Sequence, residues 1–508
     1  MFSLQSLRQS KAARNAAASY VAFASTAIGG LASIPIAVHY LSKAEMGLWS
    51  IIFTIVTYLL WLDLGIGNAT GRKIADAIAT GNKPEINRWW TLSMGVLLLL
   101  GGLMFLVALA LTPFLGLFLE IPPQMANDAK WLFLGTAAVS MIGMPFRAYP
   151  GLLIAQEQFH WVPIVQALLP WLQLGPFWYL LHAGFGVRSY LPAIALAQMC
   201  GWAIWGWKVH SDNFSVRVDL RGWTRARFRE LFAYSSSLAV SGIVESVMQS
   251  LPSLLLARLG GLSFVAVYNL SSRGPSLVSS LALRTTHSFY PNLQKLFVSK
   301  AYQRFMNKFR HVNQLGIWIG LAGAGAIIAG NRPLVSWLAK ADFYAGAWTN
   351  LWLACWIINT TFVNGTLELF QISGRMGKTA FYSLLELPVG IALCATGYHY
   401  GGLPWLVASF AFLPLLVRGP YAIFAGPRFC GFSTRLLCGR SLVSLAGVLA
   451  LAISGGAWCA SGHETGKPFE IFGRTTYLPS PREWIFGAVA AGIGVFQAMR
   501  HLRAIRRH

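Results

Sequence analysis

Val265-Ala-Val-Tyr268-Asn-Leu-Ser-Ser-Arg273-Gly-Pro-Ser-Leu-Val-Ser-Ser-Leu-Ala282 is long and apolar enough to cross a bilayer, yet it carries an arginine near its centre. A membrane-spanning helix needs about 20 mostly apolar residues. An arginine at its middle costs about 3 kcal/mol on insertion scales, so it faces a protein or water-filled interior rather than lipid. A second apolar stretch, Ser140-Met-Ile-Gly-Met-Pro-Phe-Arg147-Ala-Tyr-Pro150-Gly151, repeats the anomaly at Arg147. Two cations inside membrane helices point to a pathway for something anionic.

The rest of the chain agrees with a membrane reading. Of 508 residues, 55% are hydrophobic and 11% charged, against about 25% charged in a soluble protein. A net charge of +23 would suggest nucleic acid in a soluble chain; here the positive charge collects in alternate loops, so no nucleic-acid partner is expected. Cys200, Cys355, Cys394, Cys430, Cys438 and Cys459 form no Cys-x-x-Cys pair, which indicates neither a disulfide frame nor a metal site. Lys11 and Arg14 precede an apolar run too long for a signal peptide, so it reads as a retained first span.

Apolar segments of roughly 17 to 28 residues recur throughout. They lie near 16–41, 46–70, 91–119, 131–155, 162–182, 190–209, 231–257, 263–289, 312–338, 348–372, 379–398, 404–425, 441–460 and 484–500. The expected fold is an all-α polytopic membrane protein of about fourteen transmembrane helices. Tryptophans near the segment ends, such as Trp49, Trp131 and Trp348, suit an interfacial belt.

One set of loops holds most of the basic residues, including Arg72 and Lys73, Arg217 to Arg229, Lys295 to Arg310, Arg435 and Arg440, and Arg500 to Arg507. The opposite set holds scattered cations such as Lys43, Lys130 and Arg188. The positive-inside rule places both termini in the cytoplasm. The basic clusters serve topology and contact with anionic membrane lipids before any role as a substrate funnel.

Two halves overlay at an offset of about 217 residues, a self-similarity of the kind built into transporters. Ile34-Pro35 at the end of the first span resembles Leu251-Pro252 at the end of the seventh, and Met46-Gly-Leu-Trp49 corresponds to Val265-Ala-Val-Tyr268. The even number of spans between copies gives both lobes the same orientation, a parallel repeat. The expected organisation is an N-lobe of six helices over 1–209, a basic cytoplasmic linker over 210–230, a C-lobe of six helices over 231–425, and two further helices with a basic tail over 426–508.

Enzyme signatures are missing. Gly374-Arg-Met-Gly377-Lys378-Thr379 fails as a phosphate-binding loop, because position 372 is isoleucine and a membrane helix stands where a strand is required. No Asp-x-Asp or His-Glu-x-x-His occurs, and the longest outer loop, about 461–482, leaves little room for a catalytic domain. Neither catalytic residues nor cofactors are expected.

Ionisable residues inside the spans carry the remaining chemistry. The candidate substrate contacts are Arg147, Arg273, Arg284, Arg14 and Arg418; the candidate ion-coupling acids are Glu245, Asp63, Glu386 and Glu368. Each has a structural alternative. Asp63, in Leu62-Asp63-Leu-Gly65-Ile-Gly67, suits a helix terminus, and Glu245 suits neutralising an arginine. Arg147 and Arg273 either form internal salt bridges or contact a ligand, for which a permanently charged guanidinium fork is matched to phosphate or carboxylate. Gly274-Pro275 would loosen the helix beside Arg273.

Several stretches together carry a resemblance. They are Arg14-Asn15, Pro35 followed by Leu41-Ser-Lys-Ala-Glu-Met-Gly47-Leu-Trp49, Leu62-Asp63-Leu-Gly65-Ile-Gly67-Asn-Ala-Thr-Gly-Arg72, Tyr268-Asn-Leu-Ser-Ser-Arg273 and Ser288-Phe-Tyr-Pro291-Asn-Leu-Gln-Lys295. With them the chain resembles the polysaccharide flippases of the multidrug/oligosaccharidyl-lipid/polysaccharide superfamily, the O-antigen and exopolysaccharide repeat-unit exporters. The resemblance implies two six-helix bundles in a V around a cationic cavity. It also implies carriage of polyprenyl-pyrophosphate-linked oligosaccharides across the bacterial inner membrane by alternating access, alongside a polysaccharide polymerase and assembly proteins. By location it gives Arg147 and Arg273 the pyrophosphate or acidic sugars. Lipid-II flippases of the same superfamily also use cavity arginines and stay open as closer kin. The alternatives are a cation-coupled drug antiporter of that superfamily and, from another class, a membrane-embedded glycan polymerase or glycosyltransferase.

Overall fold

The computed structural model describes residues 11–60, 63, 65–156, 158, 160–211, 217–373, 376–461, 468–471, 474–477 and 479–507. The chain divides into two compact units, Met1–Ser246 and Val247–His508.

The first unit is built from α1 (Lys11–Tyr40), α2 (Lys43–Leu60), α3 (Ile66–Ala79), α4 (Lys83–Leu111), α5 (Ala126–Gly143), α6 (Ala148–Ala155), α7 (Trp161–His182) and α8 (Tyr190–Ser211). It ends within α9 (Arg225–Leu259). The second unit continues with α10 (Leu262–Ser271), α11 (Arg273–His287), α12 (Tyr290–Val298), α13 (Tyr302–Leu338) and α14 (Ala347–Ile372). α15 (Met376–Leu416), α16 (Arg418–Phe429), α17 (Thr434–Ser461) and α18 (Pro481–Arg507) complete it.

The described residues are thus all-α apart from one antiparallel hairpin, β1 (Pro468–Ile471) with β2 (Arg474–Tyr477), which occupies the expected outer loop. The hairpin is tied down by Thr476 Oγ1 donating to the Pro333 carbonyl at 3.0 Å and by Arg332 lying over the Tyr477 ring.

The described residues of every expected apolar segment fall largely on helix, but not one to one. Among the described residues eight helices are both long and apolar enough to cross a membrane, or nine if the bent pair 123–143 and 145–155 is one span. The sequence count of about fourteen exceeds this for two physical reasons. Helices such as α14 carry buried polar residues that lower their mean hydropathy: Asn350 and Asn359 donate to carbonyls of neighbouring helices, Thr361 and Thr366 to carbonyls one turn back in α14. Other segments are broken: at Pro145 with a 49° bend, at Ser272, at Val417, and inside α15, where Gly402 takes φ +64°.

Proline explains how the first unit closes. Pro170 in α7 lacks an N–H, so the Gln166 carbonyl loses its helical partner. α1 supplies a replacement, Thr26 Oγ1 reaching that carbonyl at 3.4 Å while Ser25 Oγ donates to the Ala167 carbonyl at 2.9 Å. Freed backbone groups inside a membrane helix are tolerated on this condition. The basic end of the unit is pinned ionically. Asp219 and Glu85 both hold Arg88, at 3.2 and 3.1 Å, and Glu85 also takes Arg227 at 2.7 Å.

In the second unit α13 is the central helix, its Phe305, Phe309, Leu321 and Ile328 all buried. It lies against α18 at backbone distance: a Cβ at Gly325 would sit 2.8 Å from the Gly487 carbonyl, and one at Gly494 2.6 Å from the Trp318 carbonyl. Small residues allow this close approach, the usual device for packing helices in lipid.

Candidate functional site

Arg147 lies in the 3-10 turn Pro145–Arg147 that separates α5 from α6. Its Nη1 donates to the Leu60 carbonyl at 3.3 Å and pairs with Asp63. A cation on the last carbonyl of α2 suits the negative end of that helix. Asp63 in turn accepts from the Gly65 amide at 2.9 Å, and Gly65, at φ +70°, turns the chain into α3. Glycine is required there because only it enters the left-handed region without strain.

The position is fixed by contact between backbones. A Cβ at Gly67 would lie 2.6 Å from the Arg147 carbonyl, and one at Gly71 would lie 2.7 Å from the Gly151 carbonyl. The Gly67-Asn-Ala-Thr-Gly71 spacing therefore seats α3 directly on α6. The Arg147 side chain stays 39% exposed while Asp63 is 13% exposed. Asp63 thus acts as a helix-terminal group and an ion-pair partner together, and one edge of the guanidinium remains accessible.

Arg273 opens α11, and its side chain is exposed. The expected continuous helix across 263–289 is interrupted here because Pro275 has no N–H for the Ser271 carbonyl. Asn331 Nδ2 takes that carbonyl at 2.8 Å and also donates to Asn350 Oδ1 at 2.9 Å, all within buried surroundings. Arg284, exposed, lies in the last turn of the same helix, where a cation complements the helix dipole.

Arg418 opens α16 in the same manner, and its Nε lies 2.5 Å from Glu386 Oε2. Candidates expected to do different work, one on substrate and one on a coupling ion, are here each other's partner. Glu368 on α14 is 3.5 Å from His287 Nε2. Burial, and then the charge of Glu368, hold the nearby Tyr290 hydroxyl far above its ordinary range, so it remains a neutral donor to the Gly365 carbonyl. The side chains of Arg14 and Glu245 lie outside the described residues.

One signal went unread in the sequence. Arg273-Gly-Pro275 and Arg418-Gly-Pro420 are the same tripeptide, and each starts a helix after a break. A proline in the first turn of a helix loses nothing, since those amides have no partner within the helix. The arginine ahead of it sits at the positive end of the helix, where the dipole does not favour it. The asparagine network around Ser271 was likewise invisible, because Asn331 and Asn350 look like scattered polar residues until α13 and α14 are brought together.

With this geometry in place, likeness to other proteins becomes informative. A family model described as polysaccharide biosynthesis protein matches residues 12–297. No curated protein sequence matches the chain. Among solved structures, the chain is similar to an inward-facing multidrug resistance MATE family transporter of the MOP superfamily, with TM-score 0.63 and 17% identity, covering 80% of this chain and 94% of that one. The Vibrio cholerae MATE transporter VcmN, a point mutant, gives 0.59 and 17% over 84% and 98%. An outward-facing multidrug resistance MATE family transporter gives 0.53 and 15% over 88% and 99%. At such identities the likeness concerns fold: a multi-pass membrane transporter architecture.

Proposed function

The chain belongs to the polysaccharide biosynthesis protein family, and from that premise we propose that it is a flippase moving polyprenyl-pyrophosphate-linked oligosaccharide across the bacterial inner membrane. The observation that carries the substrate choice is Arg273, an exposed guanidinium inside an apolar sequence at the start of α11. Its charge adds to the positive end of the helix instead of cancelling it, which favours an anion. The accessible edge of Arg147 supplies a second cation in the other unit. Arginine suits a diphosphate because its charge does not titrate and its fork engages two oxygens.

In this reading the diphosphate and sugars pass through the protein while the polyprenyl tail remains in lipid, and both termini face the cytoplasm. The protein alternates between states open to each side and makes or breaks no covalent bond. Polymerase and assembly proteins take up the product outside.

A cation-coupled drug antiporter is the second reading, favoured by the MATE-like fold. Such a transporter needs a carboxylate that exchanges its cation. The three candidate acids with described side chains each contact a basic group: Asp63 with Arg147, Glu368 with His287 and Glu386 with Arg418. That arrangement supports an anionic cargo.

The test is complementation of a deletion strain, following where lipid-linked oligosaccharide accumulates. Build-up in the cytoplasmic leaflet, relieved by the wild type and not by Arg273→Ala, is expected. Unchanged lipid-linked glycan with altered drug sensitivity would move the protein to the antiporter reading.

A further inference from the structure

A cavity of about 940 Å³ opens in the second unit near the start of α13, the start of α17 and the end of α18. Its wall includes Arg310, His311, Arg440, Ser441, Arg500 and His501, and no carboxylate among the described residues lines it. The volume is at the upper end of ordinary small-ligand sites, about 300–1,000 Å³, so a phosphorylated headgroup fits. Three guanidinium groups around one concave space focus a positive potential that attracts counter-ions.

Two further features mark the cavity as a binding site rather than a solvated gap. Ser441 is 1% exposed, yet its Oγ has no hydrogen-bond partner among the described residues. A buried polar group without a partner costs stability, so a bound acceptor would satisfy it. On the wall, His311 and His501 are held Nδ1 to Nδ1 at 2.9 Å, which fixes both rings in place without an acidic residue between them.

The location indicates the source of the ligand. These helix ends carry the basic clusters of the chain, the pattern of a membrane-proximal surface. Val443, at the cavity wall, is 75% exposed, and Phe496 on α18 is 64% exposed, so apolar surface adjoins the cationic space. We propose that this cavity binds a phosphate-bearing anion, with the headgroup of an anionic phospholipid as the source that the neighbouring apolar surface favours. Basic pockets between membrane helices recognise phospholipid headgroups in this way. Occupancy of the cavity is independent of what the protein transports.

The test uses the full chain in neutral detergent, reading the thermal unfolding midpoint while short-chain phosphatidylglycerol, short-chain phosphatidylcholine or inorganic pyrophosphate is titrated. Three proteins are compared: the wild type, Arg310→Gln/Arg440→Gln/Arg500→Gln, and a charge-matched control, Arg217→Gln/Arg225→Gln/Arg229→Gln. Phosphatidylglycerol should raise the midpoint of the wild type and control saturably. The cavity variant should need roughly fivefold more ligand for each arginine removed. Phosphatidylcholine should do nothing. Pyrophosphate acting as strongly as the lipid would assign the site to a free phosphate compound, whereas a response to lipid alone assigns it to a headgroup. If the triple variant fails to fold, Arg440→Gln and Ser441→Ala make the same comparison singly. A cavity variant that titrates like the wild type, or a control that loses as much as the cavity variant, would overturn the proposal.

Discussion

Glu386 on α15 and Arg418 at the start of α16 form a buried ion pair, with Oε2 2.5 Å from Nε and side chains 1% and 13% exposed. The Arg418 N–H is not aligned on the oxygen, so the attraction is between charges rather than along a directed hydrogen bond. A pair of this kind adds little net stability, but removing one member strands the other in a low-dielectric interior.

Glu386→Gln or Arg418→Met alone should therefore cost about 3–5 kcal/mol, and Glu386→Leu/Arg418→Met together much less. Thermal unfolding in detergent gives the comparison. Additive losses in the double variant would mean that the two residues do not act as a pair.

Arg273→Ala should lower glycan export by at least roughly tenfold, the loss of one charge-assisted contact worth about 1.5–3 kcal/mol, with expression and insertion unchanged. Arg147→Ala should behave likewise, with only a small effect on folding because the pair with Asp63 is partly solvated. Arg273→Lys should restore export in part if charge alone matters and poorly if the fork does. Full export by both alanine variants refutes the assignment of these residues to substrate.

The glycine contact between α3 and α6 should tolerate no added carbon. A Cβ on Gly151 would sit 2.3 Å from the Gly67 carbonyl, whereas nothing lies within 4 Å of one on Gly102. Gly151→Ala should destabilise the protein by about 1–3 kcal/mol. Gly102→Ala, inside α4, should be neutral or stabilising because alanine favours the helix. Equal melting of the two variants would refute the close approach.

Asn331→Leu removes the donor that replaces the missing Pro275 amide at the Ser271 carbonyl and also leaves Asn350 Oδ1 unpaired. The expected cost is about 1–3 kcal/mol for each stranded acceptor. Pro275→Ala returns an N–H to the helix, so it should rescue part of that loss in the double variant. A double-mutant cycle on unfolding midpoints reads the coupling, and none would mean that the asparagine serves some other group.

Much of this was legible beforehand. The apolar runs marked the helices, since a chain in lipid must satisfy its backbone internally. Pro275 marked an interruption, since it lacks a donor. Arg147, Asp63, Arg418 and Glu386 were visible as charges that an apolar segment would not carry without purpose.

The amino-acid sequence alone determined the class of protein and the helix positions, because those follow from composition along a one-dimensional chain. Only the tertiary structure decided which charge meets which. Arg147 reaches a partner 84 residues away, and Arg418 neutralises a carboxylate that had been assigned to an ion. Such pairings depend on where two helices cross, and the crossings depend on side-chain volume at single positions such as Gly67, Gly151 and Gly494. Volume at a crossing has no periodic signature in the chain, so folding is what turns isolated charges into pairs and three separate arginines into the wall of one cavity.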